Sequence, residues 1–182
     1  PILILAGGQA SPEFAASAGL TGSSPNRALA LIGDEPMVQW VIRACRNAEL
    51  GPVILVAPPG FPSMPGVDRF VAVDEGLERN ISLGIAQGAP LNAEQVLLVT
   101  ADIPFVKPES LRDWVRQSQE SGADCCYAAL RRVDCDRQFP GMKRTYVRVD
   151  GEEMTGGNVV LQRVATYERQ AAVLRQAYAR RK

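Results

Sequence analysis

Pro1-Ile2-Leu3-Ile4-Leu5-Ala6-Gly7-Gly8-Gln9 opens the chain, with no polar residue before Gln9. A continuous apolar run of this length, rich in β-branched residues and ended by glycine, reads as a strand buried on both faces. The two glycines let the backbone approach a ligand closely, or adopt positive φ, where a Cβ would clash. A buried strand that empties into a glycine turn is where α/β proteins commonly seat a phosphate-bearing ligand. The same pattern also suits a tight βα turn with no ligand. The rest of the chain has to decide between them.

Further runs repeat the theme. Val53–Ala57 is a second apolar strand, ended by Pro58-Pro59-Gly60, and Phe70–Val73 is a third, ended by Asp74-Glu75-Gly76. Val96–Thr100 is the strongest and delivers Ala101-Asp102-Ile103-Pro104. Helical spacing appears between them. Pro36 leads into Met37, Trp40, Val41, Ala44 and Ala48, with Gly51 as the stop; Asn80–Gly88 and Pro108–Gln119 follow the same rule. Strands alternating with helices predict an α/β fold of three layers: a mostly parallel central sheet with helices on both faces. Beyond Gly122 the expected elements are a strand over 124–130, an irregular polar stretch over 131–146, an edge strand over 145–149, a short strand over 158–161 and a closing helix over 164–182. Gln9 to Pro25, rich in Ala, Ser and Gly, reads as a long, weakly structured functional loop.

Composition narrows the function. The chain has 182 residues, 46% of them hydrophobic, and a formal net charge of zero. That balance gives no electrostatic footprint for nucleic acid or an acidic membrane, and no apolar run reaches the ~18–20 residues of a membrane span. Cys45, Cys125, Cys126 and Cys135 form no CxxC pair, so a reduced, cytoplasmic protein is expected. There is no histidine. Ser-His-Asp and Cys-His catalysis and the usual zinc sites therefore drop out, leaving carboxylates and hard cations. Neither Gly-x-Gly-x-x-Gly nor Gly-x-x-x-x-Gly-Lys-Ser/Thr follows a strand, which argues against a dehydrogenase and a P-loop ATPase.

Asp102 carries the sharpest chemical signal. A lone carboxylate just after a buried strand sits at the carboxyl edge of the sheet, where open α/β sheets bind ligands. It would coordinate a divalent cation, cap the next helix or shape a turn; Pro104 and Pro108 intervene before that helix and weaken the capping alternative.

Leu5-Ala6-Gly7-Gly8, the Asn26-Arg27-Ala28-Leu29 element and Thr100-Ala101-Asp102-Ile103-Pro104, taken together, resemble the nucleotidyltransferases with a molybdenum-cofactor guanylyltransferase-like (NTP transferase) domain. These share the Rossmann-like fold of nucleotide-diphospho-sugar transferases, the GT-A type. Phe139 to Arg148 and Thr155-Gly156-Gly157-Asn158 carry the likeness across nearly the whole chain. The resemblance implies transfer of a nucleoside monophosphate from a triphosphate to a phosphorylated small-molecule acceptor, with Mg²⁺ as cofactor and pyrophosphate released. It implies one domain, with a nucleotide half over 1–122 and an acceptor half over 123–182.

By the same resemblance, Leu5, Ala6, Gly7 and Gly8 would line the nucleotide, and Asn80 and Ser82 would read its base. Arg27 and Asp102 would be catalytic, with Asp102 and Asn158 on the metal. Lys143, Arg144, Thr145, Gly156 and Gly157 would hold the acceptor. Asn80 also suits a helix N-cap, Asn158 a turn residue tolerating left-handed backbone, and Lys143-Arg144 a solvated basic turn. The family's usual lysine appears as Arg27, and its loop cation is missing between Gln9 and Pro25. Arginine is a sound phosphate clamp, always charged and bidentate. The missing cation keeps a non-catalytic nucleotide- or sugar-nucleotide-binding protein as the alternative. A glycosyltransferase of this fold normally wants Asp-x-Asp, which Asp102-Ile103-Pro104 does not supply. Homodimerisation is a further expectation; nucleic-acid and membrane partners are not expected.

Overall fold

The computed structural model describes residues 1–22, 25–90 and 92–167. Its centre is β1 (Ile2–Leu5), hydrogen-bonded in parallel to β4 (Val53–Ala57) on one side and β6 (Gln95–Thr100) on the other. β5 (Arg69–Ala72) extends the sheet in parallel beyond β4. Past β6 the direction reverses: β9 (Glu152–Arg163) is antiparallel to β6, and β7 (Cys125–Arg131) is antiparallel to β9. The strand order is β5-β4-β1-β6-β9-β7, with β8 (Val147–Val149) paired to β9. The fold is the Rossmann-like, mostly parallel sheet that the alternating runs predict.

Strand alternation sorts the core into two layers. Ile2, Ile4, Val53, Leu55, Leu97 and Val99 point to one face, under α2 (Met37–Ala48) and α4 (Pro108–Glu120). Leu3, Ile54, Val56, Val96 and Leu98 point to the other, under α3 (Leu77–Gly88). Gly84 lets α3 sit close, since a Cβ there would lie 2.8 Å from both Leu3 Cδ2 and Val56 Cγ2.

Several boundaries differ from expectation, each for a local reason. The 9–25 loop contains a short helix, α1 (Pro12–Ser17), because the Ser11 hydroxyl accepts from Phe14 N–H and Pro12 suits the first turn. α3 begins at Leu77 instead of Asn80, with Gly76 in the N-cap position. The polar stretch after β7 folds as α5 (Arg132–Gln138), where Arg132 lies within 3.3 Å of Asp136 one turn on. β9 is 12 residues long and not a short strand over 158–161. Gly33 (φ 64°) turns the minor hairpin of β2 (Leu31–Ile32) and β3 (Glu35–Pro36). Of the closing helix, Val164–Tyr167 is helical and residues 168–182 lie outside the described residues. No helix among the described residues is long and apolar enough to cross a membrane.

Candidate functional site

The carboxyl ends of β1, β4 and β6 and the start of α3 surround a cavity of about 210 Å³. Leu5, Ala6, Gly7 and Gly8 form one wall, and Thr100, Ala101 and Asp102 form another. A main-chain bond fixes the two to each other, Ala101 N–H donating to Leu5 O (3.0 Å), and Ala6 N–H donates to Val56 O of β4 on the other side (2.8 Å).

The glycine pair is needed for close approach, not for positive φ, which neither residue adopts. A Cβ on Gly7 would lie 2.9 Å from Asn80 Nδ2, and one on Gly8 would lie 2.8 Å from Arg27 Nε. Each glycine thus makes room for a polar side chain of the cavity. Arg27 opens a single 3-10 turn (Arg27–Leu29), and Asn26 anchors that turn. Asn26 Nδ2 donates to Ala6 O (2.5 Å), while Asn26 Oδ1 accepts from Ala28 N–H (2.9 Å). Arg27 N–H donates to Gly8 O (3.0 Å), so the cation is tied to the glycine turn at its own backbone.

Asp102 meets three side chains. Its Oδ2 lies 3.0 Å from Arg27 Nη2, with the two side chains 28% and 49% exposed. Its Oδ1 accepts from Thr100 Oγ1 (2.5 Å) and Asn158 Nδ2 (3.2 Å). Asn158 reaches across from β9, in left-handed backbone (φ 61°) that asparagine tolerates. The β7–β9 register shifts between Tyr127 and Ala129, leaving extra residues on β9 beside Asn158. A bulge of this kind re-aims a side chain, here toward Asp102.

Asn80 is buried one turn inside α3; its Oδ1 accepts from Glu75 N–H (2.9 Å). It steadies the turn before the helix and is not the N-cap. Arg27, Asp102, Asn80 and Leu5 to Gly8 therefore share one cavity, and Asn158 joins them through Asp102. Ser82 sits further along α3 and does not line this cavity. Lys143, Arg144 and Thr145 lie between α5 and β8, away from its lining. Gly156 and Gly157 lead along β9 into Asn158, where bare Cα positions admit the Tyr127 hydroxyl and the Ala128 methyl.

Three contributors escaped the sequence reading. Asp74 lines the cavity from the turn after β5, by the same rule that singled out Asp102: an acid just past a buried strand. Asn26 and Thr100 act through main-chain and carboxylate contacts that no spacing announces. Among the described residues no three His, Cys, Asp or Glu side chains cluster as a metal cage. One carboxylate with an amide beside it suits a hard cation that keeps waters and shares substrate phosphates.

A glycine turn and one anchored acid at the carboxyl edge of a mostly parallel sheet define a nucleotide-handling α/β enzyme. The chain belongs to the MobA-like NTP transferase domain family, whose model matches residues 2–181, and it is a nucleotidyltransferase. No curated protein matches it. It is similar to a solved hypothetical transferase of Thermus thermophilus at 26% identity and a TM-score of 0.80, covering 99% of this chain and 72% of that one. A Mycobacterium tuberculosis protein solved in complex with manganese shares 15% identity, with a TM-score of 0.58 over 93% and 73% of the two chains. The 2-C-methyl-D-erythritol 4-phosphate cytidylyltransferase of Thermus thermophilus shares 14%, with a TM-score of 0.59 over 97% and 76%.

Proposed function

We propose that the chain moves a nucleoside monophosphate from a triphosphate to a phosphorylated small molecule, with Mg²⁺ accompanying the triphosphate. The observation that carries this reading is the Asp102 carboxylate, held by Thr100 and Asn158 and paired with Arg27 on the rim of the glycine-turn cavity.

An acceptor phosphate oxygen attacks the α-phosphorus in line; the bond to the bridging oxygen breaks, and pyrophosphate leaves. Such a step needs positioning and charge neutralisation more than covalent help, which suits a site without histidine. Arg27 would exchange its Asp102 partner for the triphosphate, where a planar guanidinium binds two oxygens at once. Asp102, with Asn158 beside it, would then hold Mg²⁺, which supplies positive charge to the phosphates. Asn80 and the turn at Asp74–Gly76 would face the base. Residues 1–122 would thus carry the nucleotide and residues 123–182 the acceptor side, Asn158 being their meeting point. Exposed Leu130, Val133 and Val147 suit a homodimer, and the four free cysteines suit a cytoplasmic setting.

Titration calorimetry with ATP, GTP, CTP and UTP, with and without Mg²⁺, tests the reading. One triphosphate should bind in a Mg²⁺-dependent way, and Asp102→Asn should weaken that binding at least tenfold. Turnover of the variant should fall by about 10²–10³, as for loss of one preorganised electrostatic contact. Silence with all four triphosphates, or unchanged binding by Asp102→Asn, would refute it.

A further inference from the structure

A second cavity, of about 370 Å³, opens against the α3-side face of β6, β9 and β7. Its floor is set by strand register. Val160 of β9 stands opposite Leu98 of β6 and Tyr127 of β7, and Thr100 and Asn158 join the same lining. Leu5, Leu77 and Thr100 line both this cavity and the nucleotide cavity, so the two are contiguous.

The floor also reaches the chemistry. Both donors that fix Asp102 Oδ1, the Thr100 hydroxyl and the Asn158 amide, belong to this second lining. A molecule seated here has one end beside the carboxylate and the other over an apolar strand face.

Two polar groups of the wall are already engaged. Gln162 Nε2 donates to the carbonyls of Asp124 (3.3 Å) and Arg163 (2.9 Å), and the Tyr167 hydroxyl donates to Glu78 O (3.0 Å). Over Ile81, Leu98 and Val160 the hydroxyls of a polyhydroxylated body would find no partners, whereas an apolar body would lose nothing there. Tyr127 is 58% exposed at the rim and offers a ring face for stacking.

The geometry points to an acceptor that is a phosphate monoester of an apolar, aromatic alcohol, its ring over Leu98, Val160 and Tyr127 and its phosphate toward the Mg²⁺ that Asp102 would hold. This rests on the nucleotidyl-transfer reading above and specifies the acceptor class. The bond changes are those already given, and the product is a diphosphate that joins the nucleoside to the aryl body.

The test uses 1-naphthyl phosphate, glucose 1-phosphate and inorganic phosphate as probes on the full chain, alongside N-methylanthraniloyl derivatives of the four triphosphates. With Mg²⁺ present, 1-naphthyl phosphate should bind at least tenfold more tightly than either control. Tyr127→Ser and Cys125→Trp, both at exposed positions on β7, should each reduce that binding tenfold or more, and Tyr127→Phe should keep it. Triphosphate binding should be unchanged in all three. Equal binding of the three phosphate probes, or retention in both Tyr127→Ser and Cys125→Trp, overturns the inference and gives the face to another occupant, such as a second copy of this chain. If triphosphates bind and 1-naphthyl phosphate does not, the acceptor inference alone fails. If 1-naphthyl phosphate binds and no triphosphate does, the transfer reading fails and an aryl-phosphate site remains.

Discussion

β4 and β8 belong to the same sheet and are nearly opposite in character. Every residue of β4 is buried, with helices over both of its faces, while every residue of β8, a short strand paired to β9 alone among the described residues, is exposed. β1 resembles β4, being buried until its last residue, and β7 resembles β8 in having mostly exposed positions. The cavity proposed for the nucleotide is built on strand ends of the first kind, so its glycine turn and Asp102 rest on a rigid frame. The side proposed for the acceptor draws on strands of the second kind, where one face is left uncovered by the described residues. Position is fixed where the sheet is doubly covered, and surface is available where it is not.

Equivalent truncations on the two sides should separate them most sharply. Ile54 is wholly buried in the layer under α3, where its Cγ2 would lie 2.6 Å from a Cβ on Gly88. Ile54→Ala should cost about 2–5 kcal/mol, the transfer term plus the cavity left beneath the helix. Urea denaturation followed by circular dichroism measures this directly. A loss under about 1 kcal/mol would mean that α3 collapses onto the sheet and that the frame is softer than its packing indicates.

Cys45 sharpens the contrast through pH. It lies wholly buried on the inner side of α2, and burial pushes its thiol up to about 12 from an ordinary value near 9. Between those values the unfolded chain has released a proton that the folded chain still holds. Stability contributed by the neutral buried thiol is therefore full below about pH 9 and lost as pH rises toward 12. The slope is about 1.4 kcal/mol per pH unit from this residue. Cys45→Ala should flatten the fall from about pH 9 upward relative to the parent chain. Parallel pH profiles for the two would sink this account.

The same division explains what was legible in the sequence. Ile2–Leu5, Val53–Ala57 and Val96–Thr100 read correctly because burial on both faces demands unbroken apolar runs, and helices between parallel strands leave periodic stripes. β9 was largely missed: Glu152, Glu153, Gly156 and Gly157 look unlike a strand, and their place in the sheet is set by partners far away in sequence. α5 was missed because ion pairs support it where a broad apolar stripe was sought. At the site, the strand-end rule found Gly7, Gly8 and Asp102 and would have found Asp74. Asn158 was reached through resemblance, since only the β9 bulge brings it to a carboxylate 56 residues away. Asn26 and Thr100 stand inside the quoted motifs but with no role attached, because a side chain that bonds one main-chain carbonyl or one neighbouring acid has no pattern to repeat.

Val149 gives the smallest effect and the most exacting check on the open side. It is 50% exposed on an edge strand whose only partner among the described residues is β9. In the isolated chain, Val149→Ala removes methyl groups that were never fully taken from water, so it should change stability by no more than about 0.5 kcal/mol. The side chain still belongs to an exposed apolar group on one face of β8, with Val147 two residues away. If that group is the face on which two copies meet, the same substitution should weaken self-association while leaving the denaturation midpoint at low concentration unchanged. Sedimentation velocity across a concentration series separates the two effects. A large loss of stability that is independent of concentration would show β8 to be part of the core, and the contrast with β4 would not survive it.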